Sequence, residues 1–317
     1  MDTTTTTATA AAADPTNAMS TPPESFTTIG PYRIEGELGR GGMGVVLKAK
    51  DPLLGRSVAV KLLHPGALRE PESRRRFVQE ARALARLDHP NIVPIYGVGR
   101  HGDRVYIATQ FVDGENLLEH LRRRGPLPVW EAYSIAGDVL GALGAIHAAG
   151  LVHRDVKTEN VMRSEDGRIK LLDFGIVKDL RSDARITHTN LRLGTPHYTA
   201  PEQARGDKVD ARTDVYSTGV VLYELLTGEI PFDGRGTTEI YRACLRGEWP
   251  SVSRRRPGLP RSADLLLEKF LAAEPGKRFA SAAAAAAAVA RARSFAPTPS
   301  AFRRAVRRLF RLDRRRG

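Results

Sequence analysis

A chain of 317 residues with 41% hydrophobic content is long enough for one large domain or two modest ones around a real core. Its one cysteine, Cys244, rules out an intramolecular disulfide and any Cys-rich zinc site, fits a reducing intracellular compartment, and reads as a packed helical residue. The formal charge of +13 comes without the interleaved stacking aromatics of a nucleic-acid surface, aromatics being only 6%, so no nucleic-acid partner is expected.

Residues 1–31 have neither a basic start nor a Leu-rich apolar core, so they read as a disordered Thr/Ala-rich leader and not a secretory signal. The stretch LGRGGMGVV, Leu38 to Val46, then spaces Gly39, Gly41 and Gly44 as GxGxxG. That spacing serves both dinucleotide-binding turns and phosphate loops that cover ATP. The alternating segments Val45–Lys50 and Ser57–Leu63 flank the turn DPLLGR and predict a hairpin. A dinucleotide turn would need a helix after the third glycine and an acidic residue about 20 positions on. A strand follows instead, and His64, Pro65 and Gly66 stand where the acid would be.

A helix is predicted over Glu70–Leu87, with Phe77, Ala81, Leu84 and Leu87 on one stripe. IVPIYGVGR and RVYIATQFV read as further strands. From Asn116 helical patterns dominate: Asn116–Arg123, Val129–Ala149, Thr213–Thr227, Glu239–Arg246 and Ser262–Leu271. The most apolar region, Val129 to Val152, is broken by Glu131, Asp138 and His147, so no transmembrane span is expected. The pattern predicts an α+β architecture, a small β-rich lobe with one main helix and then a larger helical lobe.

Lys61 in VAVK sits on the hairpin's second strand, where a cation can reach phosphates under the glycine loop, and Glu80 on the helix could hold it. HRDVKTEN, His153 to Asn160, puts an aspartate, a lysine and an asparagine in one short loop after a long helix. LLDFG, Leu171 to Gly175, follows a predicted hairpin. Phosphoryl transfer needs metal ligands, a charge clamp and a carboxylate near the acceptor hydroxyl, and these residues supply that set.

With GTPHYTAPEQARG at Gly194 to Gly206, DVYSTG at Asp214 to Gly219 and Arg278 in EPGKRF, the sequence resembles a Hanks-type serine/threonine protein kinase of the bacterial branch. The resemblance implies the two-lobed protein-kinase fold over 32–293, with an N-lobe at 32–111 and a C-lobe at 112–293. It implies ATP-dependent transfer of the γ-phosphate to Ser/Thr hydroxyls of proteins, with Mg2+ as cofactor and Mn2+ as a substitute.

By motif, Leu38, Gly39, Arg40, Gly41, Gly42, Met43, Gly44, Val45 and Val46 would cover the nucleotide, with Ala59 and Val46 on the adenine. Lys61 would contact the α and β phosphates and pair with Glu80, Asp155 would take the acceptor proton, and Lys157 would stabilise the γ-phosphoryl. Asn160 and Asp173 would hold the metal, and Asn116 would contact the ribose. Thr187 and Thr189 match a TxT autophosphorylation spacing, with Arg154 as a cation for the phosphate. Thr195 and Lys157 resemble the Ser/Thr class rather than the tyrosine class.

Other matching positions imply structure. Asp214 would tie down the catalytic loop, Glu202 would pair with Arg278, and Leu84, Ile95, His153 and Phe174 would stack between the lobes. Thr158 stands where the family usually has proline, and Gln110 where it usually has an acid; neither side chain performs chemistry in the family. Thr109 is a small residue at the position guarding the pocket behind the adenine.

After the Ala-rich helix, residues 294–317 form a Pro-broken linker and a tail whose last seventeen residues hold eight arginines and one aspartate. Apolar residues at helical spacing among them fit peripheral contact with an anionic membrane, and equally packing against the helical lobe or simple disorder. The expected setting is cytoplasmic, peripheral at the inner face of the membrane, with a homodimer for autophosphorylation in trans. The rival from another class is a pseudokinase scaffold; such proteins usually lose the equivalents of Lys61, Asp155, Asn160 or Asp173, and all four are here.

Overall fold

The computed structural model describes residues 26–68, 70–173, 196–234 and 236–296. Its first layer is a six-stranded antiparallel sheet of β1 (Thr28–Ile29), β2 (Tyr32–Gly41), β3 (Gly44–Lys50), β4 (Ser57–Leu63), β5 (Ile95–His101) and β6 (Arg104–Gln110), in the order β1-β2-β3-β4-β6-β5. Period-two alternation sorts β4: Val58, Val60 and Leu62 enter a small apolar core with Val45, Leu47 and Ala49, leaving Ala59 and Lys61 on the other face. The leader expected over 1–31 does not extend that far. Thr28 and Ile29 pair with Arg33 and Tyr32, and Ile29 is fully buried in the sheet's core.

Helix α1 (Pro71–Ala85) packs against β5 and buries Phe77, Ala81 and Leu84, three of the four residues on the expected stripe. The strand expected from Ile92 starts only at Ile95, because Pro94 carries no N–H for a ladder and disfavours regular pairing before it. Ile92 instead bridges to Leu171 across the two lobes.

The second lobe is built on α3 (Val129–Ala148) and α5 (Ala211–Thr227). Helix α5 is buried over most of its length, from Thr213 to Leu226, as expected of a helix surrounded by others. It starts two residues before the expected Thr213, because the Asp210 side chain accepts the Arg212 N–H and caps it. Helix α2 (Leu117–Arg124) precedes α3, and the short strands β7 (Gly114–Asn116), β8 (Val161–Ser164) and β9 (Ile169–Leu171) form a second sheet.

Helices α4 (Pro201–Arg205), α6 (Thr237–Arg246), α7 (Val252–Arg255), α8 (Arg261–Phe270) and α9 (Ala282–Ser294) complete the lobe. Cys244 is buried on α6. The Ala-rich α9 lies along α3, where its small side chains permit close approach, and Arg293 donates to Ser134 Oγ at 3.0 Å. Among the described residues no helix is long and apolar enough to cross a membrane.

Candidate active site

Between the lobes lies a cleft of about 370 Å³. Leu38, Gly39, Val46, Ala59, Lys61 and Asn116 of the expected nucleotide residues line it, together with Asn160 and Asp173. Thr109 and Gln110 line it as well, and Thr109 stands opposite Ala59 in the β4–β6 register.

Arg40, Gly41, Gly42, Met43, Gly44 and Val45 do not line the cleft. Val45 follows from strand alternation: with Val46 facing the cleft, Val45 turns into the outer core, where it is buried. The exposed Arg40 pairs with Glu37 at 2.7 Å. Gly44 has a backbone task. At φ +150° a Cβ would lie 2.1 Å from the Leu62 carbonyl oxygen, so only glycine fits. Around Gly39 and Gly41 a Cβ would meet nothing within 4 Å, so their backbone is open to a close-lying ligand.

His64, which in the sequence served only to exclude a dinucleotide site, has a role at the glycine turn. Its N–H donates to Met43 O at 3.1 Å and its Nε2 lies 3.1 Å from Gly41 O, closing the turn from behind. Its place immediately after β4, whose Leu63 pairs with Gly44, was the available signal.

Lys61 reaches across the cleft, its Nζ 2.9 Å from Asp173 Oδ2. The Lys61–Glu80 pair implied by the resemblance is not formed. Glu80 sits half-buried on α1; burial raises its carboxyl above the usual range, opposed by the charges of Arg154 and Arg76. Lys61 thus has a nearer carboxylate in Asp173, and Glu80 faces arginines instead.

The loop after α3 is tied down from beneath. Asp214, fully buried on α5, accepts His153 N–H on Oδ2 and Arg154 N–H on Oδ1, both at 2.8 Å, and its Oδ2 lies 2.7 Å from His147 Nε2. These bonds hold Arg154 at φ 63°, a left-handed conformation that costs a non-glycine residue about 1–3 kcal/mol. Asp173 is similarly placed at φ 44°. His153 accepts Asp155 N–H on Nδ1 and donates from Nε2 to Leu172 O, so it is the neutral Nε2–H tautomer. Burial agrees, lowering its pKa against the pull of Asp214 and Asp155. His153 is therefore a packed strut, buried like Leu84, while Ile95 packs against the same core.

Asp155 follows directly on these anchored residues. Asn160 Nδ2 donates to its backbone oxygen at 2.8 Å and to Oδ2 at 3.1 Å, and Lys157 Nζ lies 3.8 Å from the same Oδ2. Asp155, Lys157 and Asn160 form one cluster, and Asn160 and Asp173 line the adjoining cleft.

Asn116 also lines the cleft, as the cap of α2 rather than its first residue. Its Oδ1 accepts Glu119 N–H at 2.9 Å, and its own N–H donates to Glu119 Oε2 at 3.1 Å. Glu119 lines the cleft too, and the N-x-x-E spacing was the signal for it.

Further away, Arg278 holds Glu202 by two bonds of 2.7 Å in a fully buried fork, and Thr213 Oγ1 donates to the same carboxylate at 2.7 Å. Burial alone would raise the Glu202 carboxyl; the Arg278 bonds and charge overcome it and hold it below the usual range. Thr187, Thr189, Thr195 and Phe174 lie outside the described residues, as do residues 297–317 of the basic tail.

The family description "Protein kinase domain" matches residues 32–289. Serine/threonine-protein kinase PrkC of Bacillus subtilis is 42% identical over 253 residues, 80% of this chain and 39% of PrkC. Serine/threonine-protein kinase PknB of Mycobacterium leprae is 40% identical over 269 residues, 84% of this chain and 43% of PknB. The chain thus spans about two fifths of the length of these curated relatives. Among solved structures, the PknI kinase domain of Mycobacterium tuberculosis superposes with a TM-score of 0.68 at 33% identity, covering 83% of this chain and 97% of that one. Rad53 1-466 in complex with AMP-PNP gives 0.69 at 27% identity, over 81% of this chain and 64% of that one.

Proposed function

The chain belongs to the protein kinase family, in its bacterial Hanks-type serine/threonine branch, and on that premise we propose that it transfers the γ-phosphate of ATP to Ser and Thr hydroxyls of proteins. The observation that carries this reading is the position of Asp155, clasped by Asn160 and near Lys157, where Asn160 and the Lys61–Asp173 pair both line the cleft. The catalytic domain is taken as 32–293.

In this mechanism the adenine lies between Val46 and Ala59, and the Asn116–Glu119 end of the cleft takes the ribose. Lys61 holds the α and β phosphates, and the bare backbone of the Leu38–Val46 loop approaches them closely. Asp155 orients the acceptor hydroxyl and takes its proton as the oxygen bonds to the γ-phosphorus. The bond to the bridging oxygen breaks and ADP leaves, with Lys157 offsetting charge on the phosphoryl group.

The donor set suits Mg2+, with Mn2+ as substitute. The amide nitrogen of Asn160 is committed to Asp155, which leaves its hard carbonyl oxygen for a cation, and Asp173 adds a carboxylate. A bound ion would neutralise phosphate charge there.

Protein substrates, autophosphorylation at Thr187 and Thr189 in trans through a homodimer, and acceptor choice aided by Thr195 are part of the same reading, supported by the motif spacing. A cytoplasmic setting, with the Arg-rich 294–317 tail touching anionic membrane, is supported by its charge. The test is transfer of labelled phosphate from ATP to a generic protein acceptor, with Asp155→Asn as control.

A further inference from the structure

Thr158, where the family usually has proline, is fully buried, and its hydroxyl has a partner of its own. Thr158 Oγ1 lies 2.8 Å from the Tyr198 hydroxyl, which donates to Glu224 Oε2 at 2.5 Å. With the phenol proton directed to the carboxylate, the Tyr198 oxygen at 2.8 Å is left to accept from Thr158, and it lies nearer to that hydroxyl than Glu159 Oε2 does at 3.4 Å. The chain therefore runs Thr158 to Tyr198 to Glu224, linking three separate parts of the fold.

The first part is the turn Thr158–Asn160, whose last residue clasps Asp155. The second is the turn Pro196–Tyr198, held to α5 by Ser217 Oγ donating to Tyr198 O at 2.9 Å. The third is α5 itself, which also carries Asp214 and so grips the same catalytic loop from its other end. A proline at 158 would offer no hydroxyl, and Tyr198 would keep only its bond to Glu224.

We propose that Thr158 is a positioning residue: through the Tyr198 hydroxyl it couples the Thr158–Asn160 turn that clasps Asp155 to the Pro196–Tyr198 turn and to α5. The inference rests on the kinase reading above and adds to it a residue that acts without touching substrate. Buried bonds of this kind constrain both partners, since breaking one leaves a polar group unsatisfied in an apolar surrounding.

The test compares wild type, Thr158→Val, Thr158→Ser and Tyr198→Phe in phosphotransfer to a protein acceptor and in amide hydrogen exchange. Loss of one buried bond should lower kcat about tenfold in Thr158→Val, with the KM for ATP unchanged. Exchange should quicken in 156–163 and 196–200 while the rest of the chain keeps its protection. Thr158→Ser should restore most of the rate, and the Thr158→Val/Tyr198→Phe double variant should be no slower than the slower single one.

Wild-type kcat and exchange in Thr158→Val would overturn the proposal, as would a serine variant as slow as the valine one or exchange that quickens evenly over the whole chain. If wild type itself transfers no phosphate, the kinase reading fails separately, and unchanged exchange in Thr158→Val then overturns the coupling on its own.

Discussion

Lys61 Nζ lies 2.9 Å from Asp173 Oδ2, so a cation from the β-rich lobe is bound to an anion at the floor of the helical one. Glu80 is left beside Arg154 and Arg76 with its carboxyl raised by burial. In this arrangement Glu80 contributes no pair to Lys61, and its half-buried charge opposes folding slightly at neutral pH. Glu80→Gln should leave the thermal midpoint at or above that of wild type. If a Lys61–Glu80 pair forms during turnover, the same variant slows phosphotransfer, and measuring midpoint and rate on one preparation separates the two effects.

The buried Glu202–Arg278 fork predicts the opposite behaviour. Removing one partner leaves an uncompensated charge inside the helical lobe, so Arg278→Met should cost about 3–5 kcal/mol in denaturant unfolding. The folded-state pKa of Glu202 is depressed, so its stabilisation is complete above the unfolded carboxylate pKa and is lost as pH falls through the folded value. Wild type should therefore lose stability on acidification below the ordinary carboxylate range more steeply than Glu202→Gln.

Glu224 carries the contrary sign. Burial raises its pKa to about 6, with the Tyr198 and Thr158 hydroxyl bonds and the Arg122 charge opposing and Glu159 pushing the same way. A raised carboxyl binds its proton more tightly in the folded state, so its contribution to stability falls as pH rises from the unfolded value toward about 6. Glu224→Gln keeps an acceptor for Tyr198 and should flatten that fall, which paired unfolding curves from pH 4 to pH 8 would reveal.

The glycines of the phosphate loop should separate into two kinds. Gly44→Ala forces a Cβ toward the Leu62 carbonyl at 2.1 Å in a left-handed backbone, and should destabilise by about 1–3 kcal/mol. Gly39→Ala and Gly41→Ala meet no atom within 4 Å and should leave stability within about 1 kcal/mol of wild type. Their cost should appear as a raised KM for ATP, measurable by titration of the nucleotide.

Much of this was legible in the sequence, for identifiable reasons. Strand alternation in SVAVKLL sends Lys61 to one face, and the stripe Phe77, Ala81 and Leu84 marks the buried side of α1. The same alternation, applied to Val45 and Val46, could have kept Val45 out of the nucleotide set. Ile29 was missed because two residues of strand beside a Thr/Ala-rich stretch carry too little pattern to register. The Lys61–Asp173 and Thr158–Tyr198 contacts join residues 112 and 40 positions apart, and no local periodicity encodes such pairings. Motif resemblance supplied Glu202 and Arg278 as a pair, yet it also implied a Lys61–Glu80 contact that this arrangement of α1 does not make.

The central claim is tested most directly by phosphotransfer from ATP to a generic protein acceptor, with wild type beside Asp155→Asn and Lys61→Met. The account predicts wild-type turnover within the family range of about 1–100 per second and a loss of orders of magnitude in both variants. Transfer by all three proteins at one common background rate would contradict it.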